Sequence, residues 1–346
     1  MARKIKWGVI ASTGIAKRRT IPEGIVPASN AELVAVFSRN PAANAEVARQ
    51  FGARAVDSID ALLAEDIDAV YIASPPGVHR EQTLAGAKAG KHVLCEKPLG
   101  LTVADAGAMV KACNEAGVRL GTALMMRFHS QHQAALNLIR DGKLGKPVFA
   151  RAQLSCWYPP LAGAWRQDPA TGGGGSLMDL GGHCLDLLEL FFGQARAVSC
   201  FINRTIQSYS SEDSAVVSVS FANGALGVVD TFFNIPDESS RNVLELYGSR
   251  GSIHAQGTIG QGDRGEMVAR LQQASGYDAQ QARSSGASVP INPPPVNTYR
   301  AEIEEFSQAI IEKRQPVNDG QMGLRSQKLL AACYESAKTA RVVQLD

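Results

Sequence analysis

Five runs in the first third of the chain are apolar nearly throughout: Lys6 to Ala11, ELVAVF (32–37), DAVYIAS (68–74), KHVLCE (91–96) and VRLGTA (118–123). A strand with one wet face alternates polar and apolar residues, whereas a strand apolar on both sides must be covered on both. These runs therefore predict a parallel sheet with helices on either face. The intervening segments read as helices over 41–51, 78–89 and 103–116, the first opened by Pro41 in its first turn. Between the first two strands, Ile15 to Arg18 reads as a helix start followed by a Pro-containing loop, IPEGIVPASN (21–30). The whole is the α/β, doubly wound arrangement of nucleotide-binding domains, expected over 1–124.

Past about residue 145 the pattern alternates more. PVFARAQLSCWY, ARAVSCFINRTI, SAVVSVSF, GALGVVDTFFN and RNVLELYG are joined by turns such as Ala222-Asn223-Gly224. They predict a large open, mostly antiparallel sheet, one face covered by helices and the other available to a partner. A second domain, for substrate and oligomerisation, is thus expected over 125–346, since 346 residues exceed what one core usually holds. The stretch 256–297, rich in Gly, Gln, Ser and Pro, reads as a long surface excursion. Two helices close the chain, about 298–313 and 322–340, the last expected to pack back on the N-terminal domain.

With 45% apolar and 20% charged residues and a net charge of +2, the chain has the balance of a globular protein and no basic excess. That gives no case for nucleic acid or a membrane surface as a partner. No run approaches the roughly 20 apolar residues of a membrane span, and Met1 to Lys4 lead into too short an apolar run for a secretory signal. Six well-separated cysteines without a C-x-x-C pair read as reduced thiols, so a cytoplasmic location is expected.

GVIASTGIA (8–16) stands where a phosphate loop belongs, yet Ala11, Thr13 and Ala16 replace the three glycines of G-x-G-x-x-G. Ala11 serves the turn if its φ stays negative, Thr13 offers a hydroxyl to a phosphate oxygen, and Gly14 restores freedom one residue late. The second strand ends in Ser38-Arg39-Asn40. An acid there would grip a ribose 2′-hydroxyl, whereas a hydroxyl and a guanidinium suit a 2′-phosphate, so NADP(H) is favoured and NAD(H) remains open.

Lys97, in Cys95-Glu96-Lys97-Pro98, follows a strand's carboxyl end, where it can bond a substrate oxygen that gains electron density. Four glycines (172–175) precede SLMDLGGHCLD, in which Asp179 and His183 are four apart and share a face of a helical turn. His183 suits the exchange of a proton with a carbonyl becoming an alcohol, with Asp179 orienting its ring. A metal pair and a packed cap histidine are the other readings; His129 and His132 are the other close histidines, nothing ties them to this pair, and no metal is expected. Arg127, Tyr158 and Tyr299 complete the candidate substrate contacts.

Together GVIASTGIA, PPGVHREQTLAGAKAGKHVLCEKPL, Arg127, Trp165-Arg166, GGGGSLMDLGGHCLD, YRAEIEEFSQAI and ACYESAKTARVVQL resemble the Gfo/Idh/MocA oxidoreductases, in their sugar-dehydrogenase branch. The resemblance spans nearly the whole chain. It implies hydride transfer at a ring carbon of a sugar or cyclitol, with Lys97 and His183 as the catalytic pair supported by Asp179. It implies that Ser12, Thr13, Gly14 and Ile15 meet the pyrophosphate, and Ser38 and Arg39 the adenosine end. Ser74, Pro75, Pro76, His79, Glu96 and Lys97 would line the nicotinamide, with Trp165 and Arg166 reaching it from the second domain. A homodimer or homotetramer is the habit of the family. Gly77 and the apolar Ala123-Leu124-Met125 depart from the family pattern and point to a less hydroxylated or bulkier substrate. Two other functions fit the same residues: a lyase or glycosidase that uses tightly bound NAD for transient oxidation, and a dinucleotide-sensing protein without turnover.

Overall fold

In the computed structural model, which describes residues 3–272, 279 and 288–345, the first sheet has six strands. They are β1 (Ile5–Ile10), β2 (Ala31–Phe37), β3 (Arg54–Ala55), β4 (Ala69–Ile72), β5 (His92–Glu96) and β6 (Leu120–Ala123). Their order is β3-β2-β1-β4-β5-β6 and every pairing is parallel. This is the doubly wound order, in which the chain reverses direction across the sheet between β1 and β4. Helices α1 (Pro41–Phe51), α2 (Ile59–Ala64), α3 (His79–Lys88) and α4 (Val103–Glu115) connect the strands. The two-residue β3 and the short α2 are too brief to leave a periodic signal in the sequence.

Alternation across β1 and β4 explains why both strands are apolar throughout. Ile5, Trp7, Val9, Ala69 and Tyr71 enter one core cluster, while Ile10, Val70 and Ile72 enter another with Val93 and Met109. Each fully buried side chain of this size contributes about 1.5–3 kcal/mol. Trp7 also donates its indole N–H to Ser307 Oγ at 3.2 Å and packs against Phe306.

The expected loop after the first helix start is instead a π-helix, Ala16–Ile25, running through Pro22. Thr20, Ile21, Gly24 and Ile25 are buried in it, and a Cβ at Gly24 would meet Tyr299 O at 3.2 Å. Packing against a later helix, Thr298–Ile311, overrides the breakers that suggested a loop.

The chain divides into two compact units, one drawn from 1–125, 162–179 and 297–331, the other from 126–161, 180–296 and 332–346. The second unit holds α5 (Ser130–Arg140) and begins its sheet with β7 (Pro147–Ser155). The short α6 (Pro169–Gly172) belongs to the first unit, and α7 (Gly182–Phe192) to the second. Then come β8 (Ala195–Asn203), β9 (Ser214–Phe221), β10 (Leu226–Phe232), β11 (Val243–Gly248), β12 (Gly251–Gln256), β13 (Glu266–Leu271) and β14 (Ser288–Pro290). Helices α8 (Thr298–Ile311) and α9 (Gly320–Thr339) and the edge strand β15 (Val343–Gln344) finish the chain.

The nine strands order as β14-β13-β12-β11-β7-β10-β9-β8-β15, antiparallel except for β7 with β10. One face is apolar: Ala150, Ala152, Val217, Val219, Val229, Leu244 and Leu246 are buried, and α7 lies against β7. On the other face Phe201, Val216 and Leu226 are exposed beside the Arg151–Asp230 ion pair. Within the stretch 256–297, β13 and β14 extend the sheet edge. Residues 273–278 and 280–287 of that stretch lie outside the described residues. No helix among the described residues is long and apolar enough to cross a membrane.

Candidate active site

Loops at the carboxyl ends of the first sheet gather most of the predicted residues. After β1, Ala11 adopts φ 61°, not the negative value expected of it. The sharp exit from β1 demands the left-handed conformation that glycine usually supplies, and Ala11 takes it at a steric cost. Gly14 follows at φ 70°, and a Cβ there would meet nothing within 4 Å, so the loop is open to an approaching group. Thr13 Oγ1 lies 3.5 Å from Ser38 Oγ, which unites the β1 and β2 loops. Ser12 is turned inward, its hydroxyl donating to Asn44 Oδ1 at 2.8 Å. Ile15 is half-buried and Arg39 exposed.

Beyond β4, Ser74 donates to Gln82 Oε1 at 2.6 Å, Pro75 is half-buried and Pro76 is buried. His79 has no exposed surface to offer a ligand. Its ring lies between two carbonyls, Nε2 at 2.7 Å from Ser74 O and Nδ1 at 3.0 Å from Pro98 O, fastening the β4 loop to the β5 loop. Burial pushes its pKa down, partly opposed by those carbonyls.

Lys97 follows β5, and its ammonium donates to Asp179 Oδ1 and to Asp179 O, both at 2.7 Å. The two side chains are only 12% and 15% exposed. Arg166 approaches the other carboxylate oxygen, Nε to Oδ2 at 2.8 Å, and its guanidinium stacks 4.1 Å from the Trp165 ring centroid. One carboxylate therefore faces two cations. Two of the three Lys97 N–H donors go to Asp179, which leaves one uncommitted among the described residues.

The glycine run is not a linker. A Cβ at Gly172 would stand 2.6 Å from Trp165 O, so the chain closes tightly on the turn that carries Trp165 and Arg166. Asp179 lies in a second π-helix, Leu177–Gly181, which passes into α7 at Gly182. The spacing from Asp179 to His183 thus crosses a change of helix type, and simple α-periodicity does not describe it. Asp179 belongs to the first unit; His183, half-buried, belongs to the second.

Three candidates remain, and each has neighbours within its own unit. Arg127 forks onto Asp186 with contacts of 2.7–2.9 Å in the second unit. There, too, Tyr158 packs on Phe233 and Tyr209. Tyr299, 4% exposed in the first unit, sits close to the Glu96 charge, and burial followed by that charge raises its pKa. Ala123, Leu124 and Met125 are buried in the first unit.

Sequence reasoning named Glu96 but missed the polar groups around it. Thr20 donates to Tyr71 OH at 2.9 Å, and Tyr71 donates to Glu96 Oε1. Glu96 Oε2 accepts the Lys97 N–H at 3.3 Å, and burial raises the Glu96 pKa. Glu302 on α8 is also buried. A signal existed: Glu302 falls on the stripe Tyr299, Ile303, Phe306, Ile310 that α8 buries, a place where a solvated acid does not belong.

Two family models match, an oxidoreductase family NAD-binding Rossmann fold over residues 5–124 and a GFO/IDH/MocA C-terminal domain over 132–254. The chain belongs to the Gfo/Idh/MocA oxidoreductase family, and it is an NAD(P)-dependent oxidoreductase acting on CH–OH groups. It is 31% identical to the 1,5-anhydro-D-fructose reductase of Ensifer adhaerens, over 99% of this chain and 98% of that one. To D-xylose 1-dehydrogenase (NADP(+)) 2 of Haloferax volcanii it is 32% identical, over 98% and 99%. Among solved structures, the aldose-aldose oxidoreductase of Caulobacter crescentus, complexed with glycerol, superposes with a TM-score of 0.88 at 27% identity, covering 99% and 100%.

The residues present fit the dinucleotide this family implies. The β1 loop is open at Gly14, and no carboxylate stands at 38–40 to repel a phosphate.

Proposed function

We propose that this chain is an NADP(H)-preferring oxidoreductase that interconverts a carbonyl and a secondary alcohol, or oxidises an anomeric carbon, on the ring of a sugar, sugar derivative or cyclitol. The observation that carries the reading is the Lys97 ammonium, anchored on Asp179 at two points and left with one donor at the carboxyl end of β5. When bound, the nicotinamide supplies the acceptor or donor of the hydride.

The chain's own residues then do the rest. Lys97 meets the substrate oxygen and offsets its negative charge as the carbon–hydrogen bond is made or broken. Asp179 holds that ammonium in place, and Arg166, stacked on Trp165, offsets the carboxylate. His183 gives or takes the hydroxyl proton. Thr13, Gly14 and Ile15 border the pyrophosphate through their open loop, and Ser38 and Arg39 receive a 2′-phosphate. Ser12 and His79 act from behind, through Asn44 and the two backbone carbonyls.

The named activities of the two curated relatives support a sugar substrate. The exposed Phe201, Val216 and Leu226 support burial of the open sheet face in a homodimer or homotetramer. None of the six cysteines is in a disulfide, which suits a reducing cytoplasm.

Nicotinamide absorbance is the test: NADPH and NADH against ketosugars, NADP and NAD against aldoses and cyclitols. Turnover at least about tenfold better with the phosphorylated cofactor is expected, roughly 1.4 kcal/mol of discrimination. Turnover that prefers NAD(H) overturns the role of Ser38 and Arg39. No turnover alongside tightly retained nucleotide moves the chain to transient-oxidation lyase or glycosidase chemistry. His183→Ala should abolish turnover and leave cofactor binding intact.

A further inference from the structure

Under the carboxyl ends of β5 and β6 lie buried polar groups that the hydride chemistry does not use. Glu302 is 3% exposed and its Oε1 has no hydrogen-bond partner. Asn318, just before α9, is also 3% exposed, stands within hydrogen-bonding reach of Glu302, and has an unpartnered Oδ1. The orientation of this amide is fixed, because Nδ2 donates to Leu124 O at 3.2 Å and a flip would set oxygen against oxygen. Asn318 O also accepts the Thr122 N–H at 2.8 Å, so the residue is fastened to the β6 end at two points.

An ionised Glu302 is purely an acceptor. It could take the second hydrogen of the Asn318 amide, but Asn318 Oδ1 would still lack a donor, and a buried acceptor left unpaired is costly. A protonated Glu302 donates to that oxygen. The surrounding charges agree: Glu96 on β5, Tyr71 on β4, and Tyr299 and Glu305 on α8 are all acidic groups that interact with Glu302. Burial first and Glu96 second hold the Glu302 pKa well above the usual carboxylate range, against hydrogen bonds from the Leu124 backbone and the Asn318 side chain that lower it. The nearby cations act on other members of the set, Lys97 and Arg166 on Glu96 and Arg19 on Tyr299.

We propose that Glu302 is a positioning residue that works as a neutral acid. Its proton bridges to Asn318 Oδ1, joins α8 to the β6 end, and keeps a second negative charge away from Glu96 and hence from Lys97. The effect on Lys97 rests on the function proposed above; the protonation of Glu302 does not.

The first measurement is the infrared difference spectrum of unliganded wild type and Glu302→Gln at neutral pH. A protonated-carboxyl stretch present in the wild type and lost in the variant is expected; its absence overturns the proposal. Stability against pH gives a second readout, because Gln is a permanent mimic of the neutral acid. The folded pKa of Glu302 is raised, so its contribution is complete below the unfolded value of about 4.3 and is lost as pH rises toward the folded value. In that window the wild type loses about tenfold in its folding equilibrium per pH unit relative to Glu302→Gln. The two should match near pH 4 and diverge steadily above it, with the variant more stable at pH 8; parallel curves overturn the proposal. Should Glu302→Gln fail to fold, Asn318→Ala removes the acceptor and must shift the same infrared band. With a working substrate, the alkaline fall of kcat/KM should move to higher pH in Glu302→Gln. An unmoved limb beside a positive infrared result overturns the link to Lys97. Absent turnover with every sugar tried would count against the proposed function and leave the infrared result standing.

Discussion

Each unit carries a nearly buried ion pair, and the two are built differently. In the second, Arg127 and Asp186 are 11% and 5% exposed, and the guanidinium fork covers both carboxylate oxygens. In the first, Asp179 is shared between Lys97 and Arg166, one on each oxygen, and Lys97 keeps a donor in reserve. A one-to-one pair with its donors facing inward is a closed structural joint. Two cations share one carboxylate and the ammonium keeps a donor, which is the arrangement that the proposed oxyanion role of Lys97 requires. The comparison also tells which pair tolerates loss, since Asp179 would keep a partner after losing Lys97 and Asp186 would be stranded without Arg127.

The largest expected effect tests that stranding. Arg127→Met should cost about 3–5 kcal/mol of stability, the usual penalty for orphaning a buried charge. Urea unfolding measures it, and adding Asp186→Leu should recover much of the loss, because an apolar pair in the same space is often neutral. Activity per folded molecule should change little. A small stability change with a large rise in KM would make Arg127 a substrate contact.

Lys97→Met should show the opposite signature. Arg166 still meets Asp179, so the melting temperature should shift only slightly, while kcat/KM falls by about a hundred- to thousandfold, roughly 2.7–4 kcal/mol. A folded Lys97→Met protein with wild-type kcat/KM would break the comparison at its functional end.

This contrast was half legible in the sequence. Lys97 and Asp179 stand out because a lysine closing an apolar strand and an acid after four glycines violate the local pattern. Five of the six strands of the first sheet were legible for the same kind of reason, as strands buried on both faces have no polar positions to blur them; the two-residue β3 was not. Arg127 also stood out, but only packing shows that its partner is Asp186, 59 residues on. The π-helix at Ala16–Ile25 was hidden because Pro22 and Gly24 are local breakers, and burial against α8 is a long-range fact. Glu302 was hidden because a charged residue in YRAEIEEF reads as solvated until the apolar stripe around it is drawn.

The adenosine end sharpens the same theme of open against closed cations. Arg39 is exposed. Arg39→Ala should raise KM for NADPH about tenfold and leave KM for NADH within a factor of about two, as expected for one charge-assisted phosphate contact worth roughly 1.5 kcal/mol. Equal rises for both cofactors would place Arg39 on a part the two share.

Ala11 yields the smallest effect and the most direct reading of a backbone. Its φ of 61° is left-handed, a conformation that costs an L-residue with a Cβ roughly 1–2 kcal/mol. Ala11→Gly removes that strain but gives the unfolded chain more freedom, a loss of about 0.4–1 kcal/mol. The relief of strain outweighs the added freedom, so Ala11→Gly should stabilise the protein by about 0.5–1 kcal/mol, raising the urea midpoint without changing the slope of the transition. The variant also restores glycine at the first position of the phosphate loop, so cofactor binding should be unchanged or tighter. A destabilised Ala11→Gly protein would mean that the alanine methyl makes packing contacts there worth more than the strain it causes.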